Sequence, residues 1–400
     1  MNARTLTVFR LYQLFNGIIF SGPIWAVFLL SRGLSLTQFG IVEAALHVGM
    51  LIAQVPTGAL ADALGRRRLL VAAGFFTAIA ELGYVYAPGF ALICVAGGIH
   101  GIAFALRTGA DEAYLFDSLA HDDAQAQFPR MLGGLWAVFQ FAGAISFMAG
   151  GLIATYSQPL AFWLTASCAL VASAIATRLP DDRRGKAAHG VRVAARGLTA
   201  LRRSPRLGTL TLAWSVYWAA VTSWWFYAAP LFQERGASDV LLGFVLGGAM
   251  LVGSGCSWIG GRIGERVPLT LSVGLGSLAL AVGLVVGVTA PGLAVPVVLL
   301  MVISGAPELV YVTLSTYLQH NTRSEFRATS MSIAEGCFSI QMLWLFPLTG
   351  YVIQHEGYRL GFTLCGALIL VGAALFIASQ WLPGLDSAGE DAAATATVPA

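Results

Sequence analysis

The sequence GALADALGRRR at residues 58–68 decides how the rest of the chain is interpreted. It is short and polar, it ends in three consecutive arginines, and apolar stretches lie on both sides of it. A helix needs about 20 mainly apolar residues to cross the hydrocarbon core of a bilayer. The stretch therefore predicts a tight turn between two membrane-spanning helices, with Arg66, Arg67 and Arg68 held on one side of the membrane.

The composition supports a membrane protein. The chain has 400 residues, of which 57% are hydrophobic and only 11% are charged, with a mean hydropathy of +0.75. A soluble domain carries about a quarter charged residues, so this chain has too little charge to cover a surface in water. The five cysteines lie in apolar runs without metal-ligand spacing, and no nucleotide-binding loop or nucleophile triad is visible. We expect neither an enzyme nor a cofactor, metal or nucleic-acid partner.

Apolar segments of spanning length occur twelve times, and we number them span 1 to span 12. A basic, polar stretch at 180–206 separates the sixth from the seventh, and a small polar tail follows residue 382. The predicted segments are 8–30, 38–60, 69–87, 90–117, 129–154, 158–179, 207–232, 238–260, 268–289, 291–318, 327–352 and 358–382. The sequence thus predicts an all-α integral membrane protein with a first six-helix bundle at 1–179, a cytoplasmic linker at 180–206, a second bundle at 207–382 and a disordered cytoplasmic tail at 383–400.

The basic residues predict the orientation of these spans. With twelve spans, 19 of the 23 basic residues fall on the side of the two termini, three fall on the other side, and Arg107 lies within a span. Arginine and lysine are concentrated in cytoplasmic loops of membrane proteins. We therefore expect both termini and the linker in the cytoplasm, in a multi-pass protein of the plasma membrane that contacts lipid and is a monomer.

An internal repeat divides the chain into two halves. SRGLSLTQFGIV at 31–42 and ERGASDVLLGFV at 234–245 share Arg-Gly, Ser, Gly and Val at a constant shift of 203 residues. The same shift relates Gly58–Asp62 to Gly261–Glu265. Because six spans are an even number, the halves have the same orientation, and their pseudo-twofold axis runs along the membrane normal.

With these features the chain resembles the major facilitator superfamily. The loop motif of that family, G-x-L-A-D-x-x-G-R-[KR], is matched at every defined position by residues 58–67. The tracts RTGADEAYLFDSL at 107–119 and RATSMS at 327–332 are similar to the drug-exporter-like branches. The resemblance implies two bundles that rock around a central cavity, so that the substrate is exposed to one side at a time.

The resemblance also implies a gate on the cytoplasmic side. Gly58 and Gly65 would allow a tight turn, and Asp62 would face the N-terminal end of span 11, where a helix dipole favours a carboxylate. Arg66 would reach Asp117 at the end of span 4. The alternative is that the arginines only fix the topology, which we expect for Arg67 and Arg68.

Span 4 carries charges deep in the membrane. Arg107 and Asp111 are four residues apart on one helical face and can pair, while Glu112 points elsewhere. Ionisable groups at this depth are costly unless they are paired or hydrated. Either Arg107 and Asp111 form a structural pair, or Arg107 lines the cavity and a carboxylate, preferably Glu112, carries protons.

The second half offers two further deep acids, Glu308 in span 10 and Glu335 in span 11, which we expect to take part in proton coupling or to meet Arg107 across the cavity. Glu43 and His47 of span 2 are four residues apart and could form a proton entry pair or simply an interface hydrogen bond. Glu81 of span 3 is a similar but weaker candidate.

Polar and aromatic side chains within the spans are candidates for the cavity wall, although helix-to-helix hydrogen bonds explain such residues equally well. These candidates are Asn16, Gln140, Tyr217, Trp218, Tyr311 and Gln341. Tyr217 or Trp218 could stack on a flat substrate.

Span 5 departs from the exporter pattern. Drug antiporters of the resembling family carry a Gly-Pro pair in this span, but here Phe147 and Met148 stand in its place. The sequence favours a proton-coupled exporter of small amphipathic or hydrophobic molecules. A proton-coupled importer of a sugar, a carboxylate or another metabolite is the alternative, and a membrane sensor or scaffold without transport activity is a third possibility.

Overall fold

The computed structural model describes residues 3–120, 128–180, 204–263, 268–310 and 327–383, and every regular element in these ranges is a helix. Span 1 consists of two helices, Ala3–Gly17 and Trp25–Ser31, with a 3-10 turn at Gly22–Ile24 between them. Spans 2 to 6 are Leu36–Leu64, Arg66–Tyr86, Phe90–Ala120, Phe128–Ala154 and Gln158–Ala176, and spans 7 to 12 are Pro205–Glu234, Asp239–Ile263, Leu269–Thr289, Ala294–Ile303, Arg327–Glu356 and Tyr358–Ser379.

The predicted membrane fold is confirmed. Ten helical stretches of the described residues are long and apolar enough to cross a membrane. Spans 7 and 10 are the two predicted spans that are not among these ten. Span 7 has 30 residues, and its tryptophans and tyrosines lower its hydropathy. Span 10 is an apolar helical stretch at Ala294–Val310, beyond which the described residues end.

The outside of the helices is apolar, as lipid contact requires. Large hydrophobic side chains such as Ile52, Phe141 and Val302 expose more than half of their surface. A soluble protein rarely exposes so many large apolar groups together. The buried side of the helices is lined instead with small residues and packed aromatic rings, including Phe39, Tyr84 and Trp214.

The helices end at two opposite faces of the molecule. The basic face carries Gly65 and the arginines that follow it. The opposite face carries the connections at 32–35 and 235–238. Successive spans run between these two faces in alternating directions.

The two connections of the internal repeat have the same structure. Gly33 and Gly236 have φ values of 89° and 88°, which side chains other than hydrogen rarely allow. The guanidinium of Arg32 donates to the carbonyl oxygens of Tyr84 and Ala87, the latter at 2.7 Å, at the end of span 3. Arg235 donates in the same way to carbonyl oxygens at the end of span 9, those of Gly287, Val288, Ala290 and Gly292. Each arginine therefore caps the C-terminal end of a helix two spans away.

The turn predicted at 58–68 is shorter than expected. The helix of span 2 continues to Leu64, and span 3 begins at Arg66. Only Gly65, with a φ of 84°, forms the turn. The turn role predicted for Gly58 is therefore wrong: Ala and Leu are good helix formers, and they extend span 2 through Gly58 until Gly65 ends it.

The predicted linker and tail lie mostly outside the described residues. Span 7 begins at Pro205, where the hydroxyl of Ser204 accepts a hydrogen bond from the backbone N–H of Leu207 at 3.3 Å. This serine is an N-cap and Pro205 occupies the first helical position, a combination that favours a helix start. The helix of span 7 therefore begins two residues before the predicted 207.

Candidate functional site

The two halves meet along span 2 and span 11, a contact that we call the 2–11 seam. Near the opposite face, Thr37 donates from its hydroxyl to Gln354 Oε1 at 2.8 Å. One turn further, Gly40 lies so close to Pro347 that a Cβ atom would come within 2.8 Å of the proline Cα. Small residues at such positions let two helix backbones approach closely.

A second contact, the 5–8 seam, joins span 5 to span 8. Gly151 and Gly243 face each other, and a Cβ on either would lie 2.9 Å from the Cα of the other. Beside them, Gln158 at the start of span 6 donates to Asp239 Oδ2 at 2.9 Å. Gly151 of span 5 thus packs against the other half.

Span 7 strengthens the closure near the opposite face. The hydroxyl of Tyr227 lies 3.1 Å from the carbonyl oxygens of both Leu36 and Phe346, so its proton is shared between the two halves. Trp25 of span 1 packs edge-on against Phe226, with ring centroids 5.5 Å apart. Among the described residues, these contacts and those of both seams join the halves toward the opposite face.

Span 1 is interrupted, although the sequence predicted a continuous helix over 8–30. The helix stops at Gly17, and hydroxyl groups of other spans accept hydrogen bonds from backbone N–H groups within the break. Ile19 donates to Ser146 Oγ at 2.9 Å, and Ser21 donates to Thr165 Oγ1 at 3.1 Å. Inside a membrane, non-helical backbone is tolerated only where such partners exist.

The position of this break is set by close packing. The ring of Phe147 packs on Gly22, where a Cβ would overlap it, and Gly150 touches the carbonyl oxygen of Phe20. Phe147, which replaces the Gly-Pro pair of the exporter pattern, therefore packs against the break. The sequence signal that we did not use was Gly22-Pro23 within an apolar run, since both residues interrupt helices.

Arg107 lies in the middle of span 4 and is 9% exposed. Its guanidinium carbon is 4.7 Å from the ring centroid of Phe104 and 5.1 Å from that of Phe139 in span 5. Such cation–π contacts stabilise a guanidinium group, and more so where water is excluded. A guanidinium group stacked on a ring can still use the N–H groups of its edge to bind a polar or anionic group.

The other polar candidates of the first half surround this position. Asp111, one turn from Arg107, accepts a hydrogen bond from Gln13 Nε2 at 3.2 Å. Asn16 lies at the end of the first helix of span 1, and its buried Nδ2 has no hydrogen-bond partner among the described residues. Gln140 in span 5 is half-buried. The structure thus brings Gln13, Arg107 and Asp111 into one polar region; the side chain of Glu112 is outside the described part.

The second-half candidates are more dispersed. Glu308 accepts a hydrogen bond from Ser257 Oγ of span 8 at 3.1 Å, and Glu335 is half-buried in span 11.

Tyr217 is fully buried and packs against Gly372 of span 12, inside the second half. Trp218 lies edge-on to Tyr217, with ring centroids 5.9 Å apart. Gln341 accepts a hydrogen bond from Nε1 of the exposed Trp344 at 2.8 Å. Tyr311 lies outside the described residues.

The predicted gate is described only in its backbone and its basic residues. Asp62 lies in the last turn of span 2 and Asp117 in the last turn of span 4, but the side chains of both are outside the described part. Arg66 is half-buried at the first position of span 3. Arg67 donates to the carbonyl oxygen of Leu179 at 3.2 Å, so it also caps the end of span 6.

Known proteins resemble the chain in sequence and fold. A family model of the Major Facilitator Superfamily matches residues 11–343. An uncharacterized MFS-type transporter of Bacillus subtilis, YxaM, is 26% identical over 113 residues, a match that spans 28% of this chain and 28% of that relative.

Solved structures agree over nearly the whole chain. A bacterial homolog of the human lysosomal transporter Spinster, in an inward-facing state, matches with a TM-score of 0.76 and 15% identity, over 94% of this chain and 97% of its own. The nucleoside transporter NupG has a TM-score of 0.74, 12% identity and coverage of 94% and 98%. A D-xylose-proton symporter has a TM-score of 0.72, 16% identity and coverage of 93% and 95%. At these identities the structures show the shared fold alone. The family model, which matches residues 11–343, establishes that the chain belongs to the Major Facilitator Superfamily, a family of multi-pass membrane transporters.

Proposed function

We propose that the chain is a secondary transporter that exports small amphipathic or hydrophobic molecules by alternating access, driven by protons. The observation that carries this proposal is the distribution of contacts between the halves. Among the residues that the structure describes, the named contacts of the 2–11 seam and the 5–8 seam and those of Tyr227 lie toward the opposite face. A transporter of this fold alternates by closing one face while the other opens, and contacts gathered at one face are what one end of that cycle requires.

The orientation of the cycle follows from the basic residues. The excess of arginine at the basic face supports placing that face, both termini and the linker in the cytoplasm of a plasma-membrane protein. The structure then corresponds to a state that is closed to the outside. An exported substrate would enter this state from the cytoplasm or from the inner leaflet of the membrane.

The gate of the other state would be formed at the basic face. There Asp62, Arg66 and Asp117 would join the halves when the opposite face opens, and Gly65 would hold the turn that positions Arg66. Arg67 supports this role because its contact with Leu179 fixes the start of span 3 against span 6. In the same proposal Arg107, Glu112, Glu308 and Glu335 handle charge and protons.

The test is efflux in inverted membrane vesicles with an imposed pH gradient. Fluorescent amphipathic dyes are the probes, and vesicles without the protein give the background. Dye accumulation should need the gradient and should fall at least about tenfold with Asp62→Asn, because the gate can no longer form its charged contact. Accumulation that ignores the gradient, or that Glu112→Gln leaves unchanged, would contradict the assigned coupling.

A second candidate function is proton-coupled import of a carboxylate or a similar metabolite. The observation in its favour is Arg107, a buried cation held between Phe104 and Phe139. A guanidinium group in this setting suits a carboxylate next to an apolar or aromatic group. Uptake of labelled carboxylates into right-side-out vesicles separates the two functions. If Arg107 holds the carboxylate, Arg107→Ala should abolish this uptake.

A further inference from the structure

A buried acid–histidine pair lies at the 2–11 seam, away from the charged residues of span 4. Glu43 and His47 are one helical turn apart in span 2, and His47 Nε2 lies 3.7 Å from Glu43 Oε1. Their side chains are only 5% and 4% exposed. The other carboxylate oxygen of Glu43 has no hydrogen-bond partner among the described residues. This pair can therefore accept a proton in a place that excludes water.

The pair also touches the other half of the molecule. His47 Nδ1 lies 3.2 Å from Ser339 Oγ of span 11, and the imidazole packs edge-on against Phe338 with centroids 5.2 Å apart. Because span 2 and span 11 belong to different halves, these contacts must break when the opposite face opens. The environment of the pair thus changes from buried to hydrated in the step that alternates access.

The surrounding titratable groups do not neutralise a negative charge on the pair. Tyr84 of span 3 and Tyr227 of span 7 lie near Glu43, and Tyr84 contacts His100 of span 4 at 3.3 Å. The acids in the same surroundings are Glu81, which lies near Tyr84, and Glu335, one turn from Ser339 on span 11. A cation would offset a buried carboxylate, but a tyrosine or another acid does not.

The charge of the pair decides which state each protonation form prefers. With one proton the pair has no net charge, whether the proton sits on the imidazole as an ion pair or on the carboxyl group. Without that proton it carries one negative charge, which is expensive to bury in a low-dielectric site. The closed seam therefore favours the pair with one proton, and the open seam tolerates its loss because water reaches it.

We propose that closing the 2–11 seam takes up one proton at the Glu43–His47 pair, so that this pair links protons to alternating access. The inference rests on the alternating access of the proposed function and adds a coupling site to it. The proposal fixes the direction of the pH effect: a lower pH favours closure of the opposite face, and a higher pH favours its opening. One proton taken up per closure changes the equilibrium between the two states by at most about tenfold per pH unit.

The experiment measures this equilibrium directly and needs no substrate. Spin labels are attached at Tyr156→Cys and Glu356→Cys, two exposed positions on the opposite face of different halves, after replacement of the native cysteines. Pulsed dipolar spectroscopy in lipid nanodiscs then gives the distances between pH 6 and 9. In the otherwise unchanged protein the longer distance should gain population as the pH rises.

Matched variants identify the group responsible. The double variant Glu43→Gln/His47→Gln should reduce the response to less than about twofold over the whole range. Ser339→Ala removes the contact across the seam without removing a titratable group. It should keep the slope and move the midpoint to lower pH, since a weaker seam needs more protonation to close.

The outcomes separate this proposal from the proposed function. Two distances whose ratio ignores pH would overturn the proton role of the pair and leave alternating access standing. A double variant that responds to pH as the unchanged protein does would have the same meaning. A single distance at every pH would overturn both. Size-exclusion profiles that match the unchanged protein show that each variant is folded.

Discussion

The two halves of the molecule agree at their helix ends and differ in the middle of their first spans. Arg32 and Arg235 cap the ends of spans 3 and 9 with the same geometry, next to glycines whose φ values differ by about one degree. Span 1, however, is interrupted between Gly17 and Gly22, whereas its counterpart span 7 is one helix over Pro205–Glu234.

This difference shows where the repeat is constrained and where it is not. We call the two Arg-Gly connections at 32–33 and 235–236 the corners. Each corner caps the end of a helix, and both halves need this cap for their fold. The middle of span 1 borders Ser146 and Phe147 in span 5 and lies close to the 5–8 seam, so it belongs to the part that meets the other half. At the same depth span 7 is helical through residues 220–225, which correspond to 17–22 at the shift of 203, and Trp224 is buried there.

The largest expected effect comes from Gly150→Ala, which tests whether the break in span 1 depends on close packing. The added methyl group would overlap the backbone carbonyl of Phe20, and no side-chain rotation can relieve a contact between two backbones. Overpacking of this kind costs about 3 kcal/mol. We expect a marked loss of thermal stability in detergent, measured by tryptophan fluorescence, and strongly reduced dye efflux.

The control for this prediction is Gly134→Ala in the same span. A methyl group there meets open space, so the higher helix propensity of alanine should leave the melting temperature equal or slightly higher. Equal melting temperatures for Gly150→Ala and the unchanged protein would show that the break adapts easily and that glycine at 150 is not what holds it.

A smaller effect is expected from the two corner arginines, which test the similarity of the halves. Arg235→Ala and Arg32→Ala each remove charged hydrogen bonds to the end of a helix, worth about 2 kcal/mol for a half-buried guanidinium. Both should lower the melting temperature, and Arg235→Ala by more, because Arg235 contacts more carbonyl oxygens. Lysine should restore only part of the loss, since it lacks the planar fork of donors.

The result for the arginines is informative in either direction. Similar losses would show that the repeat preserves stability as well as geometry. If Arg32→Ala leaves the melting temperature unchanged while Arg235→Ala lowers it strongly, the stability of the first half does not depend on its corner. The break in span 1 would then indicate that the first half is packed less tightly than the second.

The sequence predicted the parts of this structure that depend on local composition. Hydropathy located the described ends of the spans to within a few residues, and the Arg-Gly pairs at 32 and 235 revealed the repeat but not the helix caps that these arginines form. It missed the break in span 1, because an average over 8–30 is apolar throughout and the groups that satisfy the break, on Ser146 and Thr165, lie more than a hundred residues away.

The candidate site shows the same limit. The four-residue spacing of Glu43 and His47 indicated a pair on one helical face. Its contact with Ser339 joins residues 292 positions apart, and only the packing of two helices from different halves creates it. The sequence could likewise find Arg107, since a charge within an apolar span is conspicuous, but Phe139 became its neighbour only through the packing of spans 4 and 5.

A third prediction sharpens the account of the break with a pair of serines. In Ser146→Ala the backbone N–H of Ile19 loses its acceptor inside the protein, which costs about 1–3 kcal/mol. Ser254 of span 8 donates only to the carbonyl of Met250 in its own helix, so Ser254→Ala should be nearly neutral. Thermal unfolding of both variants under the same conditions measures the difference. Equally small losses of stability would mean that water or another acceptor replaces the Ser146 hydroxyl as the partner of the Ile19 N–H.

The smallest expected effect comes from the glycines of the two corners. In Gly33→Ala and Gly236→Ala the new methyl group meets nothing within 4 Å, so the only cost is a left-handed backbone conformation, about 1 kcal/mol in each half. Because the φ values are nearly equal, the two melting temperatures should fall by the same small amount. Asparagine tolerates this conformation better, so Gly33→Asn and Gly236→Asn should lose less than the alanine variants. Unequal losses in melting temperature would show that the two corners, although alike in geometry, contribute differently to stability. The half with the larger loss would be the one whose corner is strained in the other state of the cycle.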